Sequence, residues 1–391
     1  MADTAARRRI VSVVGTRPEA IKMVPVVRAL AARGEAAQTV LLTGQHSGLA
    51  AHFAALDCDL RELGVDPGGL SHEALTWGLT QQLEEALPAQ PCDLVLVQGD
   101  TASALAGALA ARACGIPVGH VEAGLRSFDP AQPWPEEGIR IAVDILSDLL
   151  FAPTAGAAAN LAAEPLVTGT VHVTGNSGID ALMEARAALG PVPAARPGKR
   201  RTILVTCHRK ENQGVGIVAI AAAIRRLVAE LPVEIVLPLH PNRHVRAAVA
   251  AALEGAPHVR LIEPVCHAGM VRLILESWLV LTDSGGLQEE APTLGRPVLA
   301  LREVTERQEA VASGNVALVG TDPNRIVAAV ATLLGDLSSY RLMARPTLLF
   351  GDGRASARIA DAVGAWLLSR PPASAARPAA LVPQAAPLAV R

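Results

Sequence analysis

Short apolar runs rich in valine, isoleucine and leucine recur along the chain, and each is followed by a stretch with helical spacing. The first half contains RIVSVVG, QTVLLTG, DLVLVQGD, PVGHVEAG and LLFAPT, and the second contains RTILVTC, VEIVLPLH, HVRLIEPV, WLVLTDSGG and PVLALRE. Strands that alternate with helices predict parallel sheets, because a parallel pair needs a long crossover and is covered by helices on both faces. The chain has 391 residues, more than one hydrophobic core usually holds. We therefore predict an α/β protein of two Rossmann-like, doubly wound domains.

A stretch dense in proline, glycine and arginine, RAALGPVPAARPGKRR at residues 186–201, separates the two series of runs and is typical of a linker. We predict an N-terminal domain over residues 1–185 and a C-terminal domain over residues 186–370, whose last helix could return to the first domain. Residues 371–391, rich in alanine and proline, are predicted to be a disordered tail. Each half opens with a strand and a basic turn, so we expect both sheets to face a central cleft with their carboxyl ends.

Composition excludes several classes of protein. The net charge is −2, which gives no electrostatic support for a nucleic-acid partner. No apolar run approaches the roughly 20 residues of a membrane span, and the N-terminus is too short in apolar residues for a signal peptide. The five cysteines form no C-x-x-C pair, which favours reduced thiols in a cytoplasmic protein. Cys207–His208 and Cys266–His267 are sequence neighbours whose side chains point apart, so we expect no metal site.

Basic residues follow the first strand of each half. Arg17 and Lys22 lie in GTRPEAIK, His208 lies in CHRKENQG, and Arg307 comes from a later loop. Each alone is more typical of a solvated surface charge, and His208 could be a plain histidine at a strand end. If they converge on one cleft, they form a clamp for a diphosphate, in which arginine offers a forked pair of donors.

The segment TDSGGLQEEAP joins a strand to a helix through a turn of Ser284, Gly285 and Gly286. Such a turn exposes backbone N–H groups at a helix N-terminus, which is a cradle for phosphate. Glu290, one turn later, suits a pair of ribose hydroxyls. A tight turn with a capping serine is the simpler alternative.

Three carboxylates of the first half come after successive strands: Asp100 ends LVLVQGD, Glu122 lies in HVEAG, and Glu136 lies in the loop DPAQPWPEEGIR. Taken singly, such residues are usually helix caps or solvated loop residues. Three of them beside a cleft that already holds cations indicate acid/base chemistry, with environments that could separate their pKa values.

The motifs taken together are specific, and they resemble the bacterial non-hydrolysing UDP-N-acetylglucosamine 2-epimerases over about residues 10–365. In order they are GTRPEAIKMVPV, QGDTASALAGALAA, GHVEAGLRS, PWPEE, LSDLLFAPT, VTGNSGIDAL, TCHRKEN, LTDSGGLQEEAPTLGRPVL and TERQEAV. The resemblance implies the GT-B fold and a cofactor-free inversion at carbon 2 that converts UDP-GlcNAc to UDP-ManNAc. It implies elimination of UDP to a 2-acetamidoglucal, followed by its re-addition. It also implies a homodimer.

The resemblance assigns roles by position. Asp100, Glu122 and Glu136 correspond to the acid/base carboxylates, and His208 to a histidine that contacts the diphosphate and promotes departure of UDP. The implied UDP-binding set, with a lysine important for activity, is Arg17, Lys22, Ser284, Gly285, Gly286, Glu290 and Arg307.

Some positions depart from the family pattern. Ile139 stands where asparagine is usual, Gln308 replaces a proline, and Ser47 and Gly48 replace longer polar side chains. Relatives can bind a second UDP-GlcNAc as an activator, and the corresponding candidates here are Gln45, Arg209 and His240.

Three enzymatic alternatives stay open on the sequence, beside a non-catalytic nucleotide-sugar sensor, in which the carboxylates would have no task. One is a hydrolysing 2-epimerase that releases ManNAc and UDP, and another is a 2-epimerase of a modified UDP-sugar. The third is a retaining glycosyltransferase of the same fold. It would need an acceptor site, and the carboxylates of the first half argue against it.

Overall fold

The computed structural model describes residues 8–89, 91–191, 200–207, 214–240 and 243–373. Seven strands form the first sheet: β1 Arg8–Val14, β2 Ala36–Leu42, β3 Asp59–Glu62, β4 Leu94–Gln98, β5 Val118–Val121, β6 Leu149–Ala152 and β7 Thr170–Val173. They lie in the order β3-β2-β1-β4-β5-β6-β7, and every neighbouring pair is parallel.

The second sheet has six strands: β8 Arg201–Thr206, β9 Val233–Pro238, β10 Val259–Ile262, β11 Leu279–Thr282, β12 Val298–Ala300 and β13 Val316–Leu318. Their order is β10-β9-β8-β11-β12-β13, again with all pairs parallel. Both sheets reverse their winding next to the first strand of each half, which confirms the predicted pair of doubly wound α/β units.

Helices cover both faces of the two sheets. In the first half they are α1 Arg17–Arg33, α2 Ala50–Phe53, α3 His72–Ala86, α4 Ala102–Ala113, α5 Glu136–Leu146, α6 Ala155–Ala163 and α7 Ser177–Ala188. In the second half they are α8 Val215–Glu230, α9 Arg243–Ala252, α10 His267–Glu276, α11 Leu287–Thr293, α12 Gln308–Ala312, α13 Pro323–Gly335, α14 Leu337–Met343 and α15 Ala355–Leu368. A short 3-10 helix, Leu87–Ala89, follows α3.

We call the seven-stranded sheet with its helices the first lobe and the six-stranded sheet with its helices the second lobe. Helix α7 touches both, because it packs on α1 and also places Ile179 and Leu182 in the core of the second lobe. Helix α15 packs on α1, with Ile359 and Val363 buried in the core of the first lobe. The chain therefore crosses between the lobes twice. The domain boundary at residues 185 and 186 stays a prediction, and it falls inside α7.

Parts of several predicted features lie outside the described residues. They include half of the linker, from 192 to 199, and the tail from 374 onward. Within the described part of the chain, no single helix combines the length and apolar character of a membrane span. In the same described residues, α13 and α14 counted together pass that test, and they are bent by 105°.

Candidate active site

Glu122 lies at the centre of a buried polar network at the carboxyl end of the first sheet. It follows β5 with φ of 74°, a conformation that costs a non-glycine residue energy and is concentrated at functional sites. Its carboxylate accepts two bonds from Lys22 Nζ, at 2.6 and 2.7 Å, and one from Gln98 Nε2 at 2.5 Å. Asn176 Nδ2 donates a further bond to Oε1 at 2.7 Å. The acid is thus held by donors from α1, β4 and the start of α7.

Arg307, which precedes α12, brings the second lobe to the same carboxylate. Its Nη2 lies 3.3 Å from Glu122 Oε1, and its Nε donates to Glu289 Oε1 at 2.8 Å. Its Nη1 contacts Glu306. The side chains of these four residues are all at most 6% exposed. One buried guanidinium therefore joins three carboxylates from two lobes.

The environment separates the pKa values of the two central carboxylates. Burial favours the neutral form of both, but Lys22 and Arg307, with a hydrogen bond from Asn176, hold the pKa of Glu122 below its ordinary value. For Glu289 burial dominates, and the neighbouring Glu122 adds to it, so its pKa is raised in spite of Arg307. Burial opposes the charge of Lys22, but Glu122 and Glu289 raise its pKa above the ordinary value. One acid is stabilised as an anion, and the other more readily keeps a proton.

Asp100 occupies the neighbouring strand end. Gln98 pairs in register with Val121, so Asp100 and Glu122 leave adjacent strands side by side. Arg140 of α5 binds Asp100, with Nε to Oδ2 at 3.2 Å, and also contacts Glu137. Burial opposes the charge of Arg140, but Asp100, Glu306 and Glu137 raise its pKa above the ordinary value. Glu306 also belongs to the cluster around Arg307. The carboxylates around Arg140 and those around Arg307 are therefore electrostatically linked.

A second buried network, centred on His120 and Asp144, holds the same strand ends in place. His120 of β5 bonds to the Gly99 carbonyl through Nε2 at 2.9 Å and to Asp144 through Nδ1 at 2.7 Å. Asp144 also accepts from Arg126 Nη1 at 2.7 Å and from the backbone N–H of Gly124 at 3.3 Å. Since Gly99 directly precedes Asp100, this network holds the loop that carries the acid.

The start of α1 explains the turn that holds Arg17. Thr16 is the N-cap of α1, and its hydroxyl accepts the N–H of Glu19, whose carboxylate in turn accepts the Gly15 N–H at 2.7 Å. This is a capping box, which fixes the first turn of the helix. Arg17 is exposed at the first helical position, and its backbone N–H donates to His46 Nδ1 at 3.2 Å. Lys22, more than one turn later, points inward to Glu122.

In the second lobe the loop after β11 passes close to the Arg307 guanidinium. A Cβ placed on Gly285 would lie 2.7 Å from Arg307 Nη1 and 2.9 Å from Glu306 Oε1, so a larger residue would have to displace these two buried side chains. Ser284 donates its N–H to Thr282 Oγ1 at 2.9 Å, and Gly286 precedes α11. Glu290 on α11 lies 3.3 Å from His267 Nε2, and this contact raises the pKa of His267 although burial opposes it.

A family model described as UDP-N-acetylglucosamine 2-epimerase matches residues 28–364. A protein from Ralstonia nicotianae, named a probable UDP-N-acetylglucosamine 2-epimerase, is 42% identical over 377 residues, which cover 92% of this chain and 99% of that protein. The chain belongs to the UDP-N-acetylglucosamine 2-epimerase family.

Other members of this family agree over the same span. The UDP-N-acetylglucosamine 2-epimerase of Salmonella typhimurium is 41% identical over 378 residues, covering 92% of this chain and all of that protein. The crystal structure of UDP-GlcNAc 2-epimerase from Neisseria meningitidis, bound to UDP-GlcNAc, superposes with a TM-score of 0.85 at 38% identity, over 93% of this chain and 100% of that one. The family resemblance read from the motifs is confirmed, and with it the two-lobed GT-B-like fold of an enzyme family.

The fold brings some of the predicted site residues of the family into direct contact and leaves others apart. Lys22, Glu122 and Arg307 meet in one network, and Gly285 packs against Arg307. Glu136 begins α5, half-buried, one residue before Glu137. The others make different contacts: Asp100 binds Arg140, Glu290 contacts His267, and Ser284 bonds to Thr282. Arg17 is exposed at the start of α1, and Gly286 is the N-cap of α11.

His208 and Arg209 lie outside the described residues. Gln45 accepts a hydrogen bond from Ser103 at 2.7 Å, and His240 is half-buried after β9. Among the residues that the structure does describe, no three His, Cys, Asp or Glu side chains are grouped to hold a metal ion. The roles of these residues stay predictions.

Sequence reasoning missed Asn176, Gln98 and Arg140 and did not assign Glu289 to the site. In VTGNSG, Asn176 has only the signature of a helix N-cap, a role it also fills. Arg140 was visible in PEEGIR at helical spacing from the glutamates, which is a usable signal. Gln98 is the last residue of an apolar strand. No local sequence signal distinguishes a glutamine that donates a hydrogen bond to Glu122 from one at an ordinary strand end.

Proposed function

We propose that this chain interconverts UDP-GlcNAc and UDP-ManNAc by inversion at carbon 2, without net hydrolysis. The observation that carries the proposal is the buried meeting of Glu122 with Lys22 of one lobe and Arg307 of the other, in a chain of the 2-epimerase family. The Neisseria meningitidis relative bound to UDP-GlcNAc supports the same class of ligand.

Cations from both lobes have the first task in this proposal. The UDP diphosphate would lie between the loop after β11, which offers backbone N–H groups at the start of α11, and the basic side chains Arg17, Lys22 and Arg307. Preorganised donors at the leaving diphosphate stabilise the charge that develops as its bond to carbon 1 lengthens, a contribution of several kcal/mol in comparable sites. His208 is proposed to add to this group.

The carboxylates have the second task. As the carbon 1 bond to UDP breaks, the hydrogen on carbon 2 becomes acidic, and a carboxylate of the first lobe removes it. The C–H electron pair becomes the double bond of a 2-acetamidoglucal, and UDP leaves with the electrons of the carbon–oxygen bond. A proton then reaches carbon 2 from the opposite face while UDP re-adds to carbon 1. Two faces require two proton carriers, for which Asp100, Glu122 and Glu136 are the candidates.

Diphosphate binding would also prepare the base. Lys22 and Arg307 now lower the pKa of Glu122, although burial opposes them. If either cation turns to the diphosphate, the pKa of Glu122 rises toward a range useful for proton transfer at neutral pH. Binding of the diphosphate and the rise in the pKa of Glu122 would then occur together.

Proton NMR in deuterium oxide tests this function. The protein is incubated with UDP-GlcNAc, and exchange of the carbon 2 hydrogen with appearance of UDP-ManNAc is the expected result. Accumulation of free ManNAc and UDP would instead identify a hydrolysing enzyme. Absence of exchange would point to a modified UDP-sugar or to glycosyl transfer.

The proposal includes a homodimer, as the family resemblance implies, and a cytoplasmic location, as expected from the sequence. Light scattering coupled to size-exclusion chromatography measures the first, and fractionation of the source cells measures the second.

A further inference from the structure

We propose that Asn176 is a positioning residue for the acid/base step, which holds Glu122 of the first lobe and Glu289 of the second in a single bridge. This inference rests on the proposed epimerase function. It assigns a task to a side chain that otherwise has only the role of a helix cap.

The side-chain amide of Asn176 uses both its NH2 group and its oxygen. One N–H of Nδ2 donates to Glu122 Oε1 at 2.7 Å and the other to Glu289 Oε2 at 2.6 Å. Oδ1 accepts the N–H of Gly178 at 2.9 Å, as the N-cap of α7. The orientation of the amide follows from these partners, because only the NH2 group can face two carboxylates and only the oxygen can cap the helix. The residue is 1% exposed, so water does not compete for these bonds.

The hydrogen bonds from Asn176 offset the repulsion between Glu122 and Glu289. Two buried carboxylates from different lobes repel each other and require donors to share the site. The charged groups that face Glu122 are Lys22 from α1, Arg307 before α12 and Glu289 on α11, with Glu306 beyond Arg307. Both cations are predicted to be drawn to the diphosphate. Asn176 carries no charge and is not drawn away, so it can keep Glu122 in place while the cations move.

The position of Asn176 connects this bridge to the relative placement of the lobes. It lies where the two crossing segments of the chain touch, since its backbone N–H donates to the Phe350 carbonyl at 2.6 Å. A Cβ on Gly175 would be only 3.2 Å from the Cα of Gly351 on the other segment. Because Glu289 belongs to the second lobe, the complete bridge exists only when the lobes are apposed, and Glu122 is fully held only then.

The test must separate positioning from capping. Serine and aspartate cap helices about as well as asparagine, so Asn176→Ser and Asn176→Asp keep the start of α7. Serine lacks the NH2 group that reaches both acids, and aspartate adds a third negative charge between them. Asp322→Ser, at the exposed N-cap of α13, is the matched control for a change of cap.

Kinetics of UDP-GlcNAc epimerisation as a function of pH give the first readout. For Asn176→Ser we expect kcat to fall about tenfold to a hundredfold, the loss that a hydrogen bond to a charged group supports, with KM changed less than about threefold. Since Asn176 stabilises the ionised form of Glu122, its removal should move the acidic limb of kcat/KM to higher pH. Asn176→Asp should move that limb further, and Asp322→Ser should leave it in place.

A second readout does not depend on the substrate. Carbon-13 NMR of protein labelled at the glutamate carboxyls, with the Glu122 resonance assigned through Glu122→Gln, should show titration at higher pH in Asn176→Ser than in the unmodified protein.

The outcomes are distinct. An active enzyme whose Asn176→Ser variant keeps the original pH profile and kcat overturns the inference. So does a variant that loses activity equally at every pH along with thermal stability, which would show a purely structural role. If the unmodified protein does not act on UDP-GlcNAc, the proposed function fails, and the carboxyl titration alone then decides the inference: a shift supports it and no shift refutes it.

Discussion

Replacement of Arg307 by methionine tests the central claim that one guanidinium neutralises the acids between the lobes. Methionine keeps much of the volume and removes the charge, leaving Glu122, Glu289 and Glu306 without their shared partner. Loss of one member of a buried ion pair costs about 3–5 kcal/mol, because the remaining charge stays buried. With about 2–4 °C in Tm per kcal/mol for a lobe of this size, we expect a fall in Tm of roughly 6–20 °C.

Arg325→Met in the same lobe is the matched control. Its partner is Glu303, and both side chains are at least half exposed. Surface pairs of this kind contribute at most about 1 kcal/mol, so the control should melt within about 4 °C of the unmodified protein.

The pH dependence of this loss has a definite sign. Burial already raises the pKa of Glu289, and Arg307 opposes that rise. Without Arg307 the pKa of Glu289 rises further above its value in the unfolded chain. A carboxyl with a raised pKa in the folded state stabilises the fold at low pH and loses that contribution as the pH rises through the folded value. The deficit of Arg307→Met should therefore be larger at pH 8 than at pH 5.

Thermal melts of the three proteins at both pH values provide the measurement. The reasoning is refuted if Arg307→Met melts within about 2 °C of the unmodified protein, or if its deficit is the same at pH 5 and pH 8. Addition of Glu289→Gln to Arg307→Met should recover part of the loss, because the double variant no longer buries that charge unpaired.

Three further predictions concern the site itself. Glu122→Gln should abolish hydrogen exchange at carbon 2 in deuterium oxide while calorimetry still detects UDP; exchange near the normal rate would remove the acid/base assignment. Gly285→Ala should lower kcat at least about tenfold, since its Cβ would lie 2.7 Å from Arg307 Nη1, whereas Gly286→Ala, which meets nothing within 4 Å, should retain more activity; equal losses would contradict the steric argument. Arg17→Ala should weaken UDP binding about tenfold by calorimetry, as expected for loss of a charge-assisted phosphate contact, and unchanged affinity would make Arg17 a bystander.

The fold was largely predictable because its strands are buried on both faces. Each of the ten apolar runs overlaps a strand of the structure, from β1 to β12. Three strands were missed: β3, β7 and β13. The first two are edge strands whose outer residues are partly exposed, and β13 is an edge strand of only three residues. An edge strand is stabilised by one neighbour and needs no continuous apolar run, so its sequence carries a weaker signal.

The residues of the candidate site were easier to predict than the contacts that they make. Strand ends in a parallel sheet identify Asp100 and Glu122 from local sequence alone, because the chain must leave the sheet there. The same reasoning did not assign Asn176 to the site and gave Arg307 only an expected phosphate. No feature of the sequence near Asn176 or Arg307 indicates which carboxylates these residues bind.

What the sequence alone determined is therefore the alternation of strands and helices, the caps that begin the helices, and the set of charged residues at the strand ends. The tertiary structure alone decided that Arg307 meets Glu122 across 185 positions of the chain and that Asn176 meets Glu289 across 113. Propensities and caps act over a few neighbouring residues, whereas burial of opposite charges depends on how the two lobes pack together. In this protein the buried network of Glu122, Arg307 and Glu289 lies where those two lobes meet.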